Sequence, residues 1–141
     1  MYVLDTNVVS ELRKVAAGKA DANVAGWAAG TPAATMFVSA ITILELETGV
    51  VLAERSDPTK GRVLRQWFEA GVLRAFADRV LPVDIDVARA AAQLHVPNPA
   101  PYRDALIGAT ALVHGMTVVT RNVGDFARFD RPVVVNPWDQ N

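Results

Sequence analysis

The sequence contains no cysteine. Disulfides, thiolate zinc sites and cysteine nucleophiles are thereby excluded, and the chain suits a reducing compartment. Lysine occurs only at positions 14, 19 and 60. Lysine plus arginine comes to 14 against 15 acids, a net charge of -1. This is no polybasic chain, so any contact with nucleic acid must come from local arginine placement or from metal. No apolar run approaches the ~18 residues of a membrane span. An acid at position 5, with no basic stretch before it, argues against a secretory signal. The expected location is cytoplasmic, with no membrane partner. Glycine-rich phosphate loops, internal repeats and low-complexity stretches are absent as well. His95 and His114 lack metal-ligand spacing and read as structural.

What is present is one domain's worth of globular sequence, spanning 1–141, with 51% hydrophobic and 21% charged residues. Short apolar runs alternate with longer helical patterns, which predicts an α/β fold with a mainly parallel sheet. The runs are 2–4, 36–38, 80–83, 117–120 and 133–135. Pro82 in the third run implies an edge strand or a frayed end. Helical patterns cover 23–29, 41–55, 87–94 and 102–114. Ser39 is a plausible N-cap before the second, and Gly115 closes the last. Val63, Leu64, Trp67, Phe68 and Gly71 also fall at helical spacing. Residues 56–61 read as a loop by composition, and 98–101 as an extended connector.

Four acids do not look like ordinary surface. Asp5 ends the first strand, where open α/β sheets bind ligands; it or Thr6 could equally cap a short helix over Val8, Val9 and Leu12. Glu45 shares a stripe with Ile41 on an apolar helix, whereas Glu47 lies on another face. Asp104 occupies the first turn of a helix that is apolar on most sides. An acid there suits the helix dipole, and on a core helix it would also face a cleft. Asp125 follows the clearest strand; Asn122 with Asp125 has the spacing of a capping box.

Carboxylates brought to ~4 Å repel by several kcal/mol at an effective dielectric near 20. They hold protons or cations. Without cysteine or a suitable histidine, the implied cation is hard, Mg²⁺ or Mn²⁺. Such an ion with open positions acts on a phosphodiester or a phosphate ester through an attacking water. Arg103 and Arg121, each beside one of these segments, are candidates for phosphate contacts or for solvated surface.

Four motifs occur in a familiar order: Leu4-Asp5-Thr6-Asn7-Val8-Val9-Ser10-Glu11, Ser39-Ala40-Ile41-Thr42 to Glu45, Arg103-Asp104-Ala105-Leu106-Ile107-Gly108-Ala109-Thr110-Ala111, and Val119-Thr120-Arg121-Asn122 to Asp125-Phe126. Together they resemble PIN-domain ribonucleases. The ending Val135-Asn136-Pro137-Trp138 is similar to the VapC-like toxin branch. The resemblance implies a PIN-like α/β domain with a central, mainly parallel sheet flanked by helices. It implies an endoribonuclease that needs Mg²⁺, with Mn²⁺ able to substitute, and that acts as the toxin of a type II toxin–antitoxin pair. It also implies a homodimer and a cognate VapB-like antitoxin covering the site. Asp5 and Asp104 map onto the main metal ligands, and Glu45 completes the site directly or through water. Thr6 and Asn7 orient Asp5.

The fourth acid departs from the pattern. Relatives carry Asp at the position of Asn122, or an acid directly before the Phe, here Asp125. The expectation is Asp125 as the outer carboxylate and Asn122 as its polar partner. A phosphatase of the haloacid-dehalogenase type would want Asp where Asn7 stands, and that class and receiver domains want a late lysine, which is missing. A non-catalytic PIN-like module binding RNA or protein would have Asn122 as its support.

Overall fold

A computed structural model describes residues 1–139; positions 140 and 141 of the expected domain lie outside the described residues. The strands are β1 (Tyr2–Leu4), β2 (Met36–Ser39), β3 (Val80–Leu81), β4 (Thr117–Val119) and β5 (Val134–Val135). They form one sheet in the order β3-β2-β1-β4-β5, with every pairing parallel. Tyr2 pairs with Met36 on one side and with Thr117 on the other, so β1 is the central strand. β3 is one of the two edge strands and stops before Pro82, in keeping with the proline.

Alternation along each strand sends neighbouring side chains to opposite faces. Val3 and Val118 enter one core with Val87, Ile107 and Phe126. Leu4 and Val119 enter another with Val8, Leu46, Phe68 and Phe76. The first face is covered by α6 (Ile85–Leu94) and α7 (Tyr102–His114). The second is covered by α1 (Thr6–Leu12), α2 (Ala22–Ala29), α3 (Ala40–Ser56) and α4 (Pro58–Gln66). A wider-turned π segment, Trp67–Val72, continues α4 into the short α5 (Leu73–Ala75). A single-turn helix, α8 (Val123–Phe126), follows β4. Ser39 caps α3 by accepting from the Ile41 N–H, and Gly115 closes α7 at φ 64°.

The 56–61 stretch is not a loop. Asp57 accepts from the Lys60 N–H and Pro58 sits at the first helical position, so the chain restarts as α4 at once. Gly61 then lies against α3 so closely that a Cβ would stand 2.5 Å from the Glu54 Cα. Turn-forming residues here serve a helix start and a close helix crossing. α3 buries Thr42, Leu46 and Val50 and leaves Leu44, Val51 and Leu52 exposed. No helix among the described residues is long and apolar enough to cross a membrane.

Candidate active site

Chain order reverses between β1 and β4: the connections run outward from this pair in both directions. Parallel α/β sheets open a crevice there, beyond the strand C-termini. Asp5 follows β1 and Thr120 follows β4, joined by a bond from the Asp5 N–H to the Val119 carbonyl, 2.9 Å. The crevice is a cavity of about 520 Å³ lined by Asp5, Thr6, Asn7, Glu45, Arg103, Asp104, Asn122 and Asp125, among others. Four carboxylates from four chain segments therefore meet in it. Another cavity of similar volume, about 530 Å³, lies near Leu94, Pro97 and Arg128 and holds one acid, Asp130. Volume alone does not mark the site; the gathering of charge does.

Asp5 is both a cap and a pocket residue. Its Oδ1 accepts from the Thr6 N–H at 2.8 Å, starting α1. Its Oδ2 accepts from the Thr120 hydroxyl at 2.8 Å and from Asn7 Nδ2 at 3.4 Å. The Thr120 oxygen in turn accepts from Asn7 Nδ2 at 3.3 Å and the Asn122 N–H at 3.0 Å. With both of its lone pairs occupied, Thr120 has its single proton left for Asp5. Burial pushes the Asp5 carboxyl above the usual carboxylate range; the bonds from Thr120 and Thr6 oppose this, and Glu45 and Asp125 add to it.

Glu45 is held from two sides. Oε1 accepts from the Thr6 hydroxyl at 3.0 Å, and Oε2 from Arg103 Nη1 at 2.7 Å. The arginine end of this pair is 68% exposed and the glutamate end 19%. Glu47, on the other face of α3, pairs with Arg65 and takes no part. Asp104 is half-buried, and among the described residues no hydrogen bond reaches its carboxylate. Burial raises it, followed by repulsion from Asp125 and Asp5; Arg103 works in the opposite direction. Asp125 is exposed and acts on both Asp5 and Asp104, so it stands at the outer rim.

Asn122 occupies the N-cap position of α8 but makes no side-chain cap bond, so the capping box suggested by its spacing to Asp125 does not form. Arg103 reaches the crevice. Arg121 does not line it: its guanidinium lies over the Trp138 ring at 5.2 Å, while its N–H donates to Asn7 Oδ1. Thr120 was missing from the sequence-based set although it touches Asp5 more closely than Asn7 does. The available signal was a hydroxyl directly after a strand, as Ser39 is at the end of β2. His95 is structural; its Nδ1 accepts from the Ala100 N–H.

Every potential ligand in the crevice is an oxygen, and one arginine faces four acids. Among the described residues, no three His, Cys, Asp or Glu side chains stand close enough to hold one metal ion between them.

Comparison with known proteins adds four observations. VapC ribonuclease Y4jK of Sinorhizobium fredii is 37% identical over 146 residues, covering 99% of both chains. Toxin FitB of Neisseria gonorrhoeae is 37% identical over 144 residues, covering 98% of this chain and 99% of that one. The crystal structure of FitAcB from Neisseria gonorrhoeae superposes with a TM-score of 0.88 at 35% identity, over 99% of this chain and 100% of that chain. The PIN domain model matches residues 2–132: the chain belongs to the PIN-domain family.

Proposed function

We propose that this protein is a metal-dependent endoribonuclease, active in the cytoplasm as the toxin of a type II toxin–antitoxin pair. The observation that carries the reading is the convergence of Asp5, Glu45, Asp104 and Asp125 at the switch point of the sheet. The relatives named VapC ribonuclease and Toxin FitB supply the reaction class and the biological role.

The crevice fits a hard divalent cation. Its donors are oxygens, and Asp5 and Asp104 both titrate high because burial and neighbouring carboxylates disfavour their charge. Mg²⁺ is commonly held by one or two carboxylates with water completing its shell, so a triad of acids is not required. Asp5 and Asp104 would hold it. When bound, such an ion supplies Lewis acidity toward the phosphate and an acidified water as nucleophile. Thr120 and Asn7 fix the Asp5 carboxylate so that Oδ2 does not rotate with the charge it carries. Thr6 holds Glu45 at the crevice wall, where its carboxylate would order water. Arg103, mostly exposed, can leave Glu45 for a phosphate oxygen of the substrate. Asp125 adds negative charge at the rim, and Asn122 lies beside it as a neutral partner.

A cognate VapB-like antitoxin and a homodimer complete the proposal. The antitoxin is supported by the likeness of this chain both to Toxin FitB and to the chain solved in FitAcB, each from Neisseria gonorrhoeae. The apolar residues Leu44, Val51 and Leu52 on α3 are available for contact between copies.

The purified protein should cleave single-stranded RNA with Mg²⁺ or Mn²⁺ and stop on chelation. Attack by water leaves 5′-phosphate and 3′-hydroxyl ends. Ends carrying 2′,3′-cyclic phosphate, or full activity in chelator, would overturn the mechanism.

A further inference from the structure

The acidic crevice is not closed at the α1 side. Thr6, Ser10 and Glu45 also line a neighbouring cavity of about 340 Å³, which runs between α1 and the α3–α4 pair. Arg13, Lys14 and Lys60 border it, and Leu46, Val50, Leu64 and Trp67 add apolar lining. Two of the three lysines in the whole chain thus lie on one groove that starts at the acids. Arg13 and Lys60 have no carboxylate partner among the described residues; Arg13 rests over the Trp67 ring at 5.6 Å. Lys14 meets Glu11 at 3.1 Å with its side chain 47% exposed, a pair weak enough to be exchanged. Trp67 opens the π segment, and Gly71 makes room for its indole: a Cβ there would stand 3.3 Å from the ring. Irregular helical turns of this kind often mark functional surfaces.

Positive side chains along a groove with an aromatic ring are what a single-stranded polynucleotide uses. The cations meet successive phosphates and the ring takes a base. We infer that this groove carries the RNA strand on one side of the cleaved bond, with Arg13, Lys14 and Lys60 on phosphates and Trp67 against a base. The inference rests on the ribonuclease reading and deepens it. A chain with net charge -1 has little general attraction for RNA, so attraction concentrated beside the acids both recruits the strand and sets its direction across them.

The test compares two triple variants in an Asp104→Asn background, which keeps the RNA intact. One carries Arg13→Ala, Lys14→Ala and Lys60→Ala. The other, with the same charge change, carries Lys19→Ala, Arg55→Ala and Arg89→Ala. The probe is a fluorescein-labelled single-stranded RNA of mixed sequence, roughly 20 nucleotides long so as to exceed an ordinary binding site. Anisotropy with Mg²⁺ is read across a salt series, and circular dichroism confirms that both variants are folded. The groove variant should bind at least tenfold more weakly than the parent. Its salt slope should fall by about two, because each phosphate contact on a single strand contributes roughly 0.7. The control variant should change by less than about twofold. Equal losses in both variants would overturn the inference. So would a parent that does not bind the RNA, or a groove variant that binds RNA normally but no longer binds the antitoxin. Trp67→Ala should add a loss of affinity without changing the salt slope. A wild-type protein that binds the probe through the groove yet never cleaves it would leave the groove standing and remove the ribonuclease reading.

Discussion

Thr120→Val removes one buried oxygen and little else. Thr120 is fully buried, and valine nearly matches its shape, so the cost is almost purely in hydrogen bonds. The lost bond to Asp5 at 2.8 Å has an ionised acceptor, worth about 1.5–3 kcal/mol. The Asn122 N–H and Asn7 Nδ2 also lose their acceptor, but both residues reach water and recover part of roughly 0.5–1.5 kcal/mol each. The expected loss in chelator at pH 7 is about 2–4 kcal/mol, or some 5–15 °C in Tm for a domain of this size. Its pH dependence follows from Asp5. The Asp5 carboxyl already titrates above 3.8 in the folded chain. A folded state that binds its proton more tightly loses stability as pH rises from the unfolded value to the folded one. Without Thr120 that window widens, so the deficit should be smallest near pH 4 and greatest at neutral pH. Thr120→Ser keeps the hydroxyl and should behave much more like the parent. Urea unfolding of the three proteins at both pH values measures this. A deficit under about 0.5 kcal/mol, a deficit independent of pH, or serine failing as badly as valine would refute the assignment of the Thr120 proton to Asp5.

Asp104→Asn should abolish RNA cleavage while keeping or raising stability in chelator, since it removes a carboxylate held above its ordinary range by burial and by Asp125 and Asp5; it should also flatten the fall in stability above pH 3.8, and a strong loss of folded protein would show a structural acid instead. Asp5→Asn should abolish cleavage too but cost about 1–3 kcal/mol, because an amide hydrogen must face either the Thr6 N–H or the Thr120 O–H; unfolding in urea separates the two variants. Asn122→Ala should cost less than the roughly 0.5–2 kcal/mol of a lost cap, as no cap bond exists, while Asp125→Ala should weaken Mn²⁺ dependence of the rate; equal Mn²⁺ titrations for both would remove Asp125 from the site. Gly61→Ala should destabilise the α3–α4 pair despite the better helix propensity of alanine (about 1 kcal/mol), since its Cβ would meet Glu54 backbone at 2.5 Å; a rise in Tm would contradict that crossing.

What the sequence determined by itself was periodic or local. The apolar runs marked each described strand, and Pro82 marked one edge of the sheet, because strand burial and proline chemistry act within a few residues. Asp5, Glu45, Asp104 and Asp125 stood out because an acid at a strand end or on an apolar helix is costly without a reason to be there. Ser39 and Gly115 announced helix ends through bonds that span one turn. The tertiary structure decided what depended on distant partners. Thr120 is 115 residues from Asp5, and the register of β1 on β4 brings them to 2.8 Å. Arg103 meets Glu45 across 58 residues, whereas Arg121, equally plausible by position, turns onto Trp138. Asp57, Pro58 and Gly61 resembled a loop because each residue also suits one. Only the packing of α4 on α3 selects the helix, and only there does the missing Cβ of Gly61 have a use. The groove beyond the acids was hidden for the same reason. Lys14 and Lys60 lie 46 positions apart in the chain, and their common border exists once α1 and α4 pack on the same face of the sheet.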